Sequence, residues 1–202
     1  QSPKGRAELF AGTLLENAHT GAKTLGKGHA PGVIRVSNST MKNNRKHVSI
    51  SAPFAPAPQP LWYDFTNVQF LCTGPLVDAA TYNGEGTSEF MRLDAVFKRI
   101  PIRGCTFKNT GSFPVFKRGF GILAYGASFI LEPTCNIIEF PSGECAGTKN
   151  RFEGLTYGVA EKAWNAMPPV AVKRCEFIDN FRSVIMTNQY GAVITKNTFN
   201  MP

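Results

Sequence analysis

Acid is scarce in this chain of 202 residues. Only four aspartates occur, Asp64, Asp78, Asp94 and Asp179, and no two are adjacent. Glycoside hydrolysis needs two carboxylates facing one cleft, so paired-acid chemistry has little to draw on. Histidine is scarcer still: His19, His29 and His47 show neither HxxxH nor HExxH spacing, which removes the zinc-protease pattern. The five cysteines include no CxxC pair and no Cys/His cluster, so no zinc ligand set is expected. No run of about 18 apolar residues exists, and no membrane span is expected. Helical spacing of apolar residues is rare; the best window, Ala7 to Ala18, is broken by Gly12 and Asn17. The cations outnumber the acids by 22 to 14 but form no run of five or more. That spread argues against nucleic acid as a partner. The glycine-rich stretch from Gly26 to Gly32 lacks the spacing and the Lys-Ser or Lys-Thr of a phosphate-binding loop. No signal-peptide pattern follows Gln1, and Pro202 falls inside a repeat, so the chain reads as a segment of a longer protein.

What the chain does have is phenylalanine, at 16 copies, together with 19 glycines and 14 prolines. Turns are therefore frequent, and the phenylalanines recur in one short phrase. It reads Ser39-Thr40-Met41-Lys42-Asn43-Asn44, then Val68-Gln69-Phe70-Leu71-Cys72, then Cys105-Thr106-Phe107-Lys108-Asn109. It returns as Asn150-Arg151-Phe152-Glu153-Gly154, as Cys175-Glu176-Phe177-Ile178-Asp179, and as Asn197-Thr198-Phe199-Asn200. A weaker first copy lies around Leu15-Glu16-Asn17. The anchors Met41, Phe70, Phe107, Phe152, Phe177 and Phe199 are 29, 37, 45, 25 and 22 residues apart. Such unequal spacing suits a solenoid whose corners take insertions. The insertions fall at 51–61, which is proline-rich, at 78–90, and at 132–148. All 202 residues then form a single all-β segment, a parallel β-helix of about six to seven coils. Right-handedness follows from the strong preference of parallel crossovers.

Within each unit the anchor alternates with apolar neighbours, as Cys105 with Phe107 and Cys175 with Phe177. Period two puts both side chains on one face of a strand. The opposite positions, Thr106, Lys108, Arg151, Glu176 and Thr198, are polar and should meet water. The anchors are therefore expected to form a buried ladder along the axis. Two residues past the anchor stand Asn43, Asn109, Gly154 and Asp179, types that accept left-handed backbone angles, so a corner turn belongs there. After it comes a further apolar strand, as in Phe120-Gly121-Ile122 and Tyr157-Gly158-Val159. Cys105 and Cys175 are read as small buried residues, while Cys135 and Cys145, ten residues apart in a polar insert, are a possible disulfide.

The corner phrase Cys105-Thr106-Phe107-Lys108-Asn109 followed by Gly121-Ile122-Leu123-Ala124 resembles the right-handed parallel β-helix repeats of the pectate-lyase-like superfamily. Asn38 to Asn44 and Arg151 to Val159 look closer still to the large β-helix proteins that Bacteroidota export through the type IX secretion system. The resemblance covers residues from about 8 to 202. It implies an extracellular or cell-surface location and raises a carbohydrate-active enzyme as one reading. Glu153 and Glu176, with Arg151, Arg174 and Lys173, are the nearest approach to a calcium-and-base face, and cross-strand salt pairing is the simpler expectation. A binding face is carried by Phe120 and Tyr157, equivalent residues of successive coils, with Trp164, Tyr190 and Arg118 nearby. The expectation is a non-enzymatic structural or adhesive segment without catalytic residues, metal or cofactor, with a surface glycan or a protein as partner. The alternatives are a polysaccharide lyase, glycoside hydrolase or carbohydrate-binding β-helix, and a cargo protein bound to its secretion machinery.

Overall fold

The structure, a computed structural model, describes residues 6–24, 32–51, 63–77, 79–135, 138–139, 144–145, 147–163 and 169–201. Its strands wind into a right-handed parallel β-helix with three walls. Sheet A stacks Arg6–Leu9, Val33–Ser37, Tyr63–Thr66, Ile100–Arg103, Phe129–Glu132, Ala171–Lys173 and Val193–Thr195. Sheet B stacks Leu14–Glu16, Thr40–Lys42, Gln69–Cys72, Thr106–Asn109, Arg151–Glu153, Glu176–Ile178 and Thr198–Asn200. Sheet C stacks Thr20–Lys23, Lys46–Ser51, Glu89–Asp94, Phe120–Tyr125, Tyr157–Lys162 and Arg182–Thr187. One circuit through A, B and C is one coil, so sheets A and B count seven coils and sheet C six. Helix among the described residues is limited to Ala79–Tyr82 and a 3-10 turn at Val115–Lys117.

The anchors stand in register. Leu15, Met41, Phe70, Phe107, Phe152, Phe177 and Phe199 pair in turn along sheet B. The rings of Phe70, Phe107 and Phe152 are stacked at 4.7 Å, and the next two steps are 5.0 and 5.1 Å. Parallel pairing sets that spacing at about 4.8 Å. Met41 through Phe177 are fully buried, whereas Phe199 is 49 % exposed because no described coil covers its outer face. Each buried ring contributes roughly 1.5–3 kcal/mol through loss of apolar surface to water. Sheet C gives the rings room. A Cβ at Gly121 would lie 2.5 Å from the Gly158 carbonyl oxygen and 2.8 Å from the Phe152 ring. At Gly158 it would meet Ser183 oxygen at 2.5 Å and Phe177 at 2.9 Å. In the coils of Met41 and Phe70 the same place is filled by His47 and Phe90, whose rings pack 4.9 Å apart.

Single left-handed residues turn the chain at the corners. Gly12, Asn38, Asn67, Gly104, Arg174 and Lys196 join sheet A to sheet B, and Asn17, Asn43, Gly154 and Asp179 join B to C. Asn109, expected at this second corner, instead ends its strand and is buried. An insertion of ten residues follows it, and its side chain is used to hold that insertion. The asparagines that bond across the corners stand one place later than the turn residues. Asn44 and Asn180, each just past a left-handed residue, are buried and clamp the coil below. Asn44 Oδ1 accepts from the Ala18 amide at 2.7 Å and its Nδ2 donates to the Leu15 carbonyl at 2.9 Å. Asn180 does the same to Leu155 and Phe152. Asn150 and Asn197 repeat the device at the A–B corner, on Cys105 with Ile102 and on Cys175 with Val172. These side chains satisfy corner backbone groups that strand pairing does not reach.

The insertions differ in kind. Residues 52–62 lie outside the described residues. The 78–90 insertion is shorter than expected, since Glu89 and Phe90 already belong to a strand of sheet C. The 132–148 insertion carries a small antiparallel ladder of Ile138–Glu139 with Glu144–Cys145.

Candidate functional site

The outer face of sheet C, where its strands leave the B–C corner, brings aromatic and cationic side chains together. Phe120 and Tyr157 begin neighbouring strands in register, half-buried, with rings stacked at 4.7 Å and 5°. Their column continues downward to Glu89 and Lys46, an ion pair of 3.1 Å, and upward to Arg182. The Arg182 guanidinium lies 5.9 Å from the Tyr157 ring centre and 5.6 Å from that of Phe181. Cation–π attraction at such distances is worth about 0.5–1 kcal/mol when exposed. Phe181 in turn meets Phe116 edge-on at 5.8 Å, and these rings are 47 % and 75 % exposed. A cleft of about 190 Å³ opens beside them, between Glu85–Ser88 on one side and Phe116, Lys117, Gly119 and Phe120 on the other.

Phe116 is held out by a braced loop. Asn109 Nδ2 donates to the Arg118 carbonyl at 2.8 Å, and Asn109 Oδ1 accepts from the Gly111 amide at 2.9 Å. Arg118 Nε donates to the Phe113 carbonyl at 3.2 Å, and Phe113 plugs into the core. Thr156 Oγ1 donates to the Val115 carbonyl at 2.6 Å and accepts from the Arg118 amide at 3.1 Å. The loop is therefore set in place without a ligand, which lowers the ordering cost of binding.

Of the residues expected to form a strip, Phe120 and Tyr157 are together, and Arg118 is beside them but bonded into its own loop. Tyr190 is exposed at 79 % in the turn that follows Arg182–Thr187, at the other end of sheet C, and is no part of the cluster. Six residues of strand separate the two places by about 20 Å. Trp164 lies outside the described residues. Phe116, Phe181 and Arg182 were not anticipated. Arg182 had a signal, because it precedes Ser183 as Phe120 precedes Gly121 and Tyr157 precedes Gly158.

Most of the described carboxylates are engaged in ion pairs; Glu161 and Asp179 are not among them. Glu153 bonds Lys108 at 2.9 Å and Arg151 at 2.8 Å, and Glu176 bonds Lys149 at 3.2 Å. Partial burial works against ionisation of Glu153, but the hydrogen bonds from Lys108 and Arg151 hold its carboxyl below its ordinary value. Asp94 is held by Arg92 at 2.9 Å, and Asp64 lies 3.9 Å from Arg103. Among the described residues no group of three or more His, Cys, Asp or Glu side chains converges.

Buried titratable groups sit in the interior. Glu161 points inward between Ala124 and Met186. It is 2 % exposed, one oxygen accepts from the Ala127 amide at 3.4 Å, and the other has no partner. Burial pushes its carboxyl up to about 7. His47 is fully buried and driven down to about 3 by desolvation. Thr87 donates its hydroxyl to the Asn44 carbonyl, so it accepts from His47 Nε2 at 3.3 Å, which fixes the neutral tautomer. Cys105 and Cys175 are buried free thiols raised to about 12 by desolvation, and inert as nucleophiles. Cys72 is free as well, while Cys135 is disulfide-bonded; the side chain of Cys145 lies outside the described set.

No helix among the described residues is long and apolar enough to cross a membrane. Comparison with protein-family models, with curated proteins and with solved structures finds no match to this chain.

Proposed function

We propose that this segment is a non-catalytic adhesive rod of an exported bacterial surface protein, with the aromatic wall of sheet C as its contact face for a surface glycan. The observation that carries the reading is the stack of Phe120 on Tyr157, extended by Arg182, Phe181 and the braced Phe116. Phe116 and Phe181, beside the outward edges of the Phe120–Tyr157 stack, present open ring surface that suits the apolar face of a sugar ring. Arg182 adds a cation whose described contacts are aromatic. Export through a type IX route, as in Bacteroidota, is supported by the resemblance of the repeat phrases. The oxidised Cys135 favours an oxidising compartment. The salt-paired carboxylates favour adhesion over lyase or hydrolase chemistry.

The test is retention of the protein on a panel of immobilised bacterial and host polysaccharides. Retention of the native chain on at least one of them, lost in a Phe116→Ser, Tyr157→Ala variant of unchanged melting temperature, supports the reading. A panel with no retention, or retention indifferent to the two substitutions, overturns it. Turnover of an acidic polysaccharide by the native chain would replace adhesion with catalysis.

A further inference from the structure

The apolar ground beside the outer stack continues along the strands. Phe120–Tyr125 turns Phe120, Leu123 and Tyr125 outward, and Tyr157–Lys162 turns Tyr157, Ala160 and Lys162 outward in register with them. In the two coils below, the same three places carry Glu89, Arg92 and Asp94, then Lys46, Ser49 and Ser51. The change from polar to apolar makes a half-buried stripe, about 17 Å long from Phe120 to Tyr125. At its near end Phe120 also lines the cleft of about 190 Å³. The lower margin is built for hydrogen bonding. Arg92 Nε donates to Asp94 at 2.9 Å and Arg92 Nη1 to Glu89 at 3.2 Å, so one guanidinium ties the two carboxylates of that strand. The Arg92 and Asp94 side chains are still 29 % and 30 % exposed, within reach of a ligand. The Arg92 guanidinium also lies 4.9 Å from the Tyr125 ring centre. Tyr125 with Arg92 thus repeats, at the far end of the strands, the pairing of Tyr157 with Arg182. An apolar patch rimmed by polar groups marks a contact site.

We infer, resting on the glycan reading of the aromatic wall, that Tyr125 and Arg92 form a second subsite of this face. The ligand is then a linear, unbranched glycan that lies along the strands, across the rod, from the cleft at Phe120 to Tyr125. A sugar ring has apolar faces and a polar rim. Over Leu123 and Ala160 it buries an apolar face and turns hydroxyls towards Arg92 and Asp94, which can donate and accept. Ala160 carries only a methyl and raises no obstacle at the midpoint. The stripe is two coils wide, about 10 Å, which fits one chain in single file. Its length of about 17 Å holds roughly three rings end to end. Each further ring placed on a preformed surface adds contact without a new ordering cost for the protein, so affinity grows with chain length until Tyr125 is reached.

The probe is a size ladder, disaccharide to octasaccharide, cut from whichever panel polysaccharide retains the native chain. Each oligosaccharide is used to displace the whole chain from that polysaccharide. The concentration for half displacement should fall at least tenfold from the disaccharide to the tetrasaccharide and then level off. Tyr125→Ser should abolish that gain and leave the disaccharide as effective as before. Ala160→Gln, which sets an amide across the midpoint, should do the same, with melting temperatures reporting that both variants fold. The ladder on the native chain decides the matter alone if they do not. A plateau already at the disaccharide, or variants displaced like the native chain, overturns the inference; retention that still depends on Phe116 and Tyr157 then leaves the adhesive reading standing. No retention by any polysaccharide removes that reading and the second subsite with it. Concentration-dependent dimers in sedimentation that Ala160→Gln abolishes overturn the inference in favour of a second copy on this face.

Discussion

Phe107 with Phe152 on the inner face of sheet B, and Phe120 with Tyr157 on the outer face of sheet C, share a ring separation of 4.7 Å and near-parallel planes. The match has one cause, since strand pairing fixes the rise between coils for every side chain at an equivalent position. What differs is the medium. The inner rings are fully buried and continuous with the core, while the outer pair is half-buried and opens onto exposed Phe116 and Phe181. Identical stacking thus supplies cohesion on one wall and a contact surface on the other.

Substitutions separate the two columns. Phe152→Ala removes a ring flanked by two others and should cost about 3–5 kcal/mol in chemical denaturation. A loss below about 1 kcal/mol would mean the ladder is dispensable. Gly158→Ala reaches the same column from sheet C, where the added methyl meets a carbonyl oxygen and the Phe177 ring. It should cost about 1–3 kcal/mol. The third test uses pH. Glu161 has a folded-state value raised from 4.5 to about 7, so the fold binds its proton more tightly than the unfolded chain. Taken alone, the Glu161 contribution is greatest below pH 4.5, declines as pH rises towards about 7, and is level above it. His47, lowered from 6.5 to about 3, contributes the opposite slope between those values, so Glu161→Gln should turn the measured dependence towards stability that rises with pH in urea titrations at stepped pH. Smallest in stability is Tyr157→Ala, expected at about 1 kcal/mol or less, with glycan retention as its main readout. A large loss of stability there would make the outer stack structural and erase the contrast.

The ladder was legible because an aromatic recurs beside corner residues, and period two then fixes which face it occupies. The corner at Asn43, Gly154 and Asp179 was legible for the same reason. Asn109 misled because it shares the phrase but precedes an insertion, which recruits its amide to brace a loop. The asparagine clamps were one residue out of reach: composition points to a corner asparagine, but only coil stacking shows which amide meets the backbone below. Glu161 follows the inward alternation of Val159, a position where an acid is unexpected. Phe116 and Phe181 come from different coils, and Tyr190 from the wrong end of its strand. Their grouping depends on loop geometry that spacing does not encode.

The coils touch only their neighbours, which has a mechanical consequence. The hydrogen bonds between coils run along the rod, so a pull on its two ends loads them in series. Yielding then proceeds one coil at a time, each released turn paying out slack before the next is stressed. A tether built this way dissipates a sudden tug gradually instead of parting at once.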